Sequence, residues 1–307
     1  MRSLGGEAER ARALGAMLGL AVGDALGAPV EFRARDSFPL VVDMMAGGYF
    51  RLPAGAWTDD TAMALCLLES LVHDPEFDAR DLLDRFLRWM DHGENTSTGR
   101  CVGIGQNTLA ALGNYRRTGE LTAPGSGQRR DGNGALMRTG PVAVLHWSDP
   151  TKARAIAAAQ SRTTHRSLVS EQACAIMAGM LAGLVSGRPW QQLVDELAAV
   201  EAVPALHPIV RCDWRTKSRG EIRSTGYVVD TLEAALWSVE TTDSFEAALI
   251  AAVNLGDDSD TVGAVAGQLA GARHGVDAIP PGWLRSLQRL DHVERLFGMI
   301  WAGACRR

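Results

Sequence analysis

The sequence is short of lysine, of tyrosine and of paired cysteines. Only Lys152 and Lys217 are lysines among 31 basic residues, so almost all positive charge is arginine. Neither lysine stands in a G-x-x-x-x-G-K-[ST] loop, which excludes a Walker A nucleotide site and leaves little room for lysine-dependent chemistry. The five cysteines (Cys66, Cys101, Cys174, Cys212, Cys305) are odd in number and contain no C-x-x-C pair. That pattern excludes a disulfide framework or cysteine zinc site and leads us to expect reduced thiols in the cytoplasm. No stretch reaches 18 consecutive apolar residues, so no membrane span is expected. The apolar run 13–22 follows several arginines, like a secretory signal. Glu7 and Glu9 interrupt the basic region, however, and Asp24 closes the run, so it reads as part of the fold. A net charge of −5 argues against a bulk nucleic-acid binder.

Glycine, by contrast, is abundant. The chain has 33 glycines in 307 residues, where average usage of about 7% gives roughly 22. Gly15, Gly19, Gly23 and Gly27 recur every fourth residue, as do Gly263, Gly267, Gly271 and Gly275. Each glycine inside a helix costs about 0.5–1 kcal/mol relative to alanine, so such ladders need a reason. Residues four apart share a helix face, and a glycine face admits another backbone closely. Helical stripes also run through 57–71, 81–90, 174–185, 193–200, 229–239 and 245–253, and period-2 alternation is scarce. Polar, glycine-rich stretches 46–56, 119–134 and 203–226 read as loops. The fold class expected is all-α, with residues 1–307 forming a single compact multi-helix domain.

Two acidic segments stand immediately before helical runs: Thr58-Asp59-Asp60-Thr61 and Asp257-Asp258-Ser259-Asp260-Thr261. The plain explanation is capping, with acids favoured by the helix dipole. In the second segment three carboxylates in four residues repel one another, and capping uses only one or two. Excess carboxylates are easier to explain if cations sit there. Hard oxygen ligands without His or Cys select Mg²⁺, Mn²⁺ or Ca²⁺ over Zn²⁺, and there are enough oxygens for two ions. Spacing alone does not bring the two segments together; the glycine ladders beside them are the one hint that they converge.

Six segments taken in order now carry a family likeness: GDALGAPVE (23–31), WTDDT (57–61), GNGALMR (132–138), SRTTH (161–165), STGYVVDTLEAALW (224–237) and NLGDDSDTVGAVAGQLAGA (254–272). Together, across about residues 11–285, the chain resembles the ADP-ribosylglycohydrolases, the family of the dinitrogenase-reductase-activating glycohydrolase. The resemblance implies an all-α fold with a binuclear Mg²⁺ or Mn²⁺ centre at the base of a cleft. Its metal ligands would be Thr58, Asp59, Asp60, Asp258, Asp260 and Thr261, with Asp257, where many relatives carry Gly, behind them. Catalytic roles fall to Glu31, Asp60 and Asp258, with Glu31 a candidate to position or activate water. The reaction implied is metal-dependent hydrolysis of an ADP-ribosyl glycosidic bond, releasing ADP-ribose from a modified acceptor such as protein arginine.

For the pyrophosphate, segments 99–105 and 132–134 offer backbone N–H groups at helix starts, at Gly103, Gly105 and Gly134, and Asn133 adds its side chain. His165 and Tyr227 would flank the ribose or adenine. One departure from the family pattern matters. Relatives commonly place an aspartate where Gly103 stands, and Gln106 and Asn107 also look altered. This motivates an alternative, an ADP-ribose-binding or sensing protein with weak or no hydrolase activity. A third reading, a helical scaffold of the crystallin type, requires that no metal bind. The basic residues of 203–226 (Arg211, Arg215, Lys217, Arg219, Arg223) are either a solvated surface or a face for an acidic partner. The partner expected is an ADP-ribosylated protein or small ADP-ribosyl molecule, met by a cytoplasmic monomer, with no nucleic acid or membrane.

Overall fold

Four helix starts are written locally. Asp78, Asp149, Ser167 and Ser244 each accept a backbone N–H from the first turn of the helix they open, satisfying donors that a helix start otherwise leaves bare. The computed structural model describes residues 6–124 and 131–306. In it α1 (Glu7–Gly27), α2 (Asp59–His73), α3 (Ala79–His92) and α4 (Gln106–Thr118) come first. They are followed by α5 (Gly140–Leu145), α6 (Pro150–Thr164), α7 (Leu168–Val185), α8 (Trp190–Glu196) and α9 (His207–Val210). The chain closes with α10 (Val228–Glu240), α11 (Phe245–Val253), α12 (Ser259–His274), α13 (Pro281–Ser286) and α14 (Leu290–Ala304). Among the described residues there is no strand, only two isolated bridges, Gly47 with Leu52 and Gly132 with Tyr227. The fold is all-α, and one continuous core runs from Ala13 to Ala304.

The glycine ladders meet each other. A Cβ placed on Gly15, Gly19 or Gly23 would run into the carbonyl oxygen of Gly271, Gly267 or Gly263 respectively, and one on Gly27 into that of Ser259. α1 and α12 therefore lie antiparallel, backbone against backbone, in a register fixed by glycine pairs. Gly275 is the exception in its ladder: it caps the end of α12 at φ +81°. The consequence is positional. The C-terminal end of α1 is delivered to the N-terminal end of α12.

α1 and α7 are long and apolar enough on average to cross a membrane, although neither is an unbroken apolar run. Their most apolar windows are 94% and 72% buried within the protein, so packing accounts for their composition. The stretch 193–200 is helical only to Glu196 and then tightens into a 3₁₀ turn, Leu197–Ala199. The 203–226 segment is a loop with short helical pieces, α9 and 3₁₀ turns at Pro204–Leu206 and Asp213–Thr216. Much of its positive charge is answered internally. Arg215 pairs with Glu240 at 2.7 Å, Arg219 with Asp36 at 2.8 Å, Arg223 with Asp230 at 3.4 Å, and Lys217 with Glu233.

Candidate functional site

Both acidic segments lie at helix starts, and neither acts as a cap. Thr58 is the N-cap residue of α2 and Asp258 that of α12, yet neither side chain accepts a backbone N–H from the first turn of its own helix. The Thr61 N–H, which Thr58 would ordinarily satisfy, donates instead to Asp24 Oδ2 at 2.9 Å. Asp24 lies in the last turns of α1 and is fully buried. Its Oδ1 accepts the Thr58 N–H and hydroxyl, both at 2.9 Å. Its Oδ2 accepts the Thr61 hydroxyl at 2.7 Å as well as the Thr61 N–H. The cap of α2 is thus supplied by another helix.

The ladder register then gathers acids from three segments. Asp24, Asp60 and Asp260 place carboxylate oxygens within 4.8 Å of one another, and so do Glu31, Asp258 and Asp260. Asp260 belongs to both trios. Thr58 Oγ1 stands 3.3 Å from Asp60 Oδ2 and 3.2 Å from Asp260 Oδ2, and Thr261 Oγ1 3.4 Å from Asp60 Oδ2. No arginine, lysine or histidine forms an ion pair with any of these carboxylates among the described residues. Glu31 Oε2 and Asp60 Oδ1 are buried without a hydrogen-bond partner.

Such an arrangement is costly for the protein alone. Burial, followed by the Asp258 charge, pushes the Glu31 carboxyl up to about 8. Burial lifts Asp24 to about 6 against its four donors. It also holds Asp59, Asp60 and Asp260 well above the usual carboxylate range, reinforced by neighbouring acids, and raises Asp258. Like charges in a dry site cannot all ionise without a counter-charge. Two orphaned buried carboxylate oxygens, in trios that contain no histidine or cysteine and have threonine hydroxyls beside them, fit hard divalent cations.

The remaining residues take varied places. Asp59 is buried but belongs to neither trio; its Oδ1 fills the space a Cβ on Gly103 would need. Gly103 adopts φ +83°, a backbone conformation that favours glycine. Gly105 is the exposed N-cap of α4, as a helix-start donor site requires. Gly132 to Gly134 correct an expectation, because they form a turn and not a helix start. The turn is held to the Tyr227 segment by Asn133 N–H to Gly226 O (3.2 Å) and Val228 N–H to Asp131 O (2.9 Å). Asn133 turns inward, donating through Nδ2 to Asp258 Oδ2 at 2.7 Å and to Thr231 at 2.8 Å.

His165 is buried beneath that turn, its ring where a Cβ on Gly132 or Gly134 would have to go and its Nδ1 2.9 Å from the Thr164 hydroxyl. Tyr227 is half-buried at the start of α10. Asp257 points outward at φ +54°, where glycine is at ease, while its backbone pairs with Phe32 and Arg33. Sequence reasoning missed Asp24. Its signal was present: the one acid in the apolar part of α1, between two ladder glycines.

Comparison with known proteins agrees with this picture. A family model described as ADP-ribosylglycohydrolase matches residues 6–306. The ADP-ribosylarginine hydrolase Tri1 of Pseudomonas putida (strain GB-1) is 40% identical over 289 residues, covering 93% of this chain and 76% of that protein. The ADP-ribosyl-[dinitrogen reductase] glycohydrolase of Rhodospirillum rubrum is 38% identical over 281 residues, 90% of each chain. A solved structure described as an ADP-ribosylglycohydrolase-related protein complex superposes with a TM-score of 0.86 at 39% identity, covering 96% of this chain and 99% of that one.

Proposed function

The chain belongs to the ADP-ribosylglycohydrolase family, and from that premise we propose that it hydrolyses the glycosidic bond between ADP-ribose and a protein arginine. The observation that carries the reading is a set of six carboxylates, five buried (Asp24, Glu31, Asp59, Asp60 and Asp260) and one half-buried (Asp258), with no cationic side chain paired to them among the described residues. Thr58, Asp59, Asp60, Asp258, Asp260 and Thr261 are the residues we assign to hold two Mg²⁺ or Mn²⁺ ions. When bound, such ions supply Lewis-acid charge for holding ribose hydroxyls and a water in attacking geometry.

The protein's own groups do the rest. Breaking the bond at the anomeric carbon passes through oxocarbenium-like charge, which a dense set of carboxylates favours. Glu31, poised near neutrality by burial, takes the attacking water's proton or gives one to the leaving group. Asn133 fixes Asp258 through its 2.7 Å bond. The Gly103 to Gly105 segment, at the start of α4, is the side we assign to the pyrophosphate, together with the Gly132 to Gly134 turn. His165 lies under that turn and braces it, and Tyr227 is left to meet the ribose or adenine.

Free, widely spaced cysteines support a cytoplasmic setting, and we take the single domain to act as a monomer. Incubating the protein with an ADP-ribosyl-arginine protein and Mg²⁺ or Mn²⁺, and measuring released ADP-ribose by mass spectrometry, tests the reading. Release that is lost in Asp60→Ala and Asp258→Ala is expected. ADP-ribose binding without any release would instead favour a sensor, the reading that Gly103 motivates.

A further inference from the structure

Asp24 shares a 4.8 Å trio with Asp60 and Asp260, so distance alone would make it a metal ligand. Its hydrogen bonds say otherwise. A carboxylate has about four lone-pair sites, and Asp24 receives four donors, two on each oxygen. Nothing is left to offer a cation. The four donors come from the two ends of a single turn, Thr58 and Thr61, so Asp24 caps α2 from α1.

Thr58 feels this most. Three carboxylate oxygens surround its Oγ1, at 2.9 Å (Asp24), 3.2 Å (Asp260) and 3.3 Å (Asp60). A hydroxyl has one hydrogen to give, and the shortest contact, to Asp24, takes it. The other two contacts then set oxygen lone pairs against one another in a buried space. That is the arrangement a cation between them would relieve.

We propose that Asp24 is a positioning residue for the metal centre: by capping α2 in place of Thr58 and taking the Thr58 hydroxyl hydrogen, it aims the lone pairs of Thr58 Oγ1 at the space shared with Asp60 and Asp260. The inference rests on the metal-dependent reading above, and acts through Thr58.

The test is a double-mutant cycle on the full-length, EDTA-treated protein, with Mn²⁺ affinity read from the electron paramagnetic resonance signal of the free ion. Asp24→Asn keeps the shape and loses the charge; Thr58→Val keeps the shape and loses the hydroxyl. Each single change is expected to weaken Mn²⁺ binding about 10- to 100-fold, as is usual for groups that orient ligands. Because Asp24 acts through Thr58, the double variant should bind within about twofold of Thr58→Val alone. Wild-type affinity in Asp24→Asn, or losses that multiply in the double variant, overturns the inference.

Should Asp24→Asn not fold, an anomalous-scattering structure of the Mn²⁺-loaded wild type decides it. Thr58 Oγ1 within about 2.6 Å of an ion and both Asp24 oxygens outside that radius support the inference; an Asp24 oxygen inside it overturns it. No Mn²⁺ binding by the wild type would overturn the metal reading and this inference together. Intact Mn²⁺ binding without ADP-ribose release would count against the reaction alone and leave Asp24 in its role.

Discussion

At the scale of the residue, the site is a place where ordinary stability rules are broken in one direction. Asp260 belongs to both carboxylate trios and is held well above the usual carboxylate range, by burial first and then by Glu31, Asp60 and Asp258. Removing its charge should therefore help the metal-free protein and harm the loaded one. Asp260→Asn is expected to raise the unfolding temperature in EDTA, through about 1 kcal/mol or more of relieved repulsion, and to abolish the rise that Mn²⁺ gives the wild type. Differential scanning fluorimetry reads both, and a variant destabilised in EDTA would contradict the account. Gly103 carries a second prediction. At φ +83° with Asp59 Oδ1 where its Cβ would go, it cannot accept an acid without displacing Asp59. Gly103→Asp, although it introduces the acid that the family resemblance leads one to expect, should lower turnover about tenfold or more. A rise in kcat would show that the loop yields instead.

At the scale of the element, the α1–α12 pair sets the register that assembles the site. Gly19 packs against the Gly267 carbonyl, and a methyl there has nowhere to go because its neighbour is backbone. Gly19→Ala should cost about 1–3 kcal/mol of overpacking and lower Mn²⁺ affinity as the two helix ends slip apart. Gly113, in the middle of α4, is exposed, and a methyl group added there would meet nothing within 4 Å. Gly113→Ala should gain about 0.5–1 kcal/mol. Chemical denaturation distinguishes the pair, and equal effects would mean that the ladder is not what fixes the register.

Much of this level is legible in the sequence. Period-3.6 stripes announce the long helices, and the i+4 glycines announce a close approach. What stays hidden is long-range partnership. Nothing local says that the ladders pack on each other, that Asp24 and not Thr58 caps α2, or that Asn133 faces Asp258. The capping explanation of Thr58 and Asp258 is reasonable on local chemistry and fails because a group distant in sequence supplies the cap of α2. The turn at Gly132 to Gly134 looks like a helix start for a related reason: its conformation is set by pairing with Tyr227, 95 residues away in number, and not by its own residues.

At the scale of the whole molecule, the buried acids couple stability, protons and metal. Glu31 is raised to about 8 and Asp24 to about 6, both above their unfolded values near 4. The folded, metal-free protein therefore holds protons that the unfolded chain has already released. Its stability from these groups is fully present below about pH 4 and is lost as pH rises towards about 8. Divalent cations should reverse that loss, because they bind the ionised form and stabilise only the folded chain.

Binding must then release protons, and calorimetric titration of the EDTA-treated protein with Mn²⁺ at pH 7, in two buffers of different ionisation enthalpy, measures this directly. Saturable binding whose heat depends on the buffer, with net proton release, is expected, and its loss in Asp60→Ala. Buffer-independent heat, or binding unchanged by Asp60→Ala, would contradict the claim that these converging carboxylates form the metal centre.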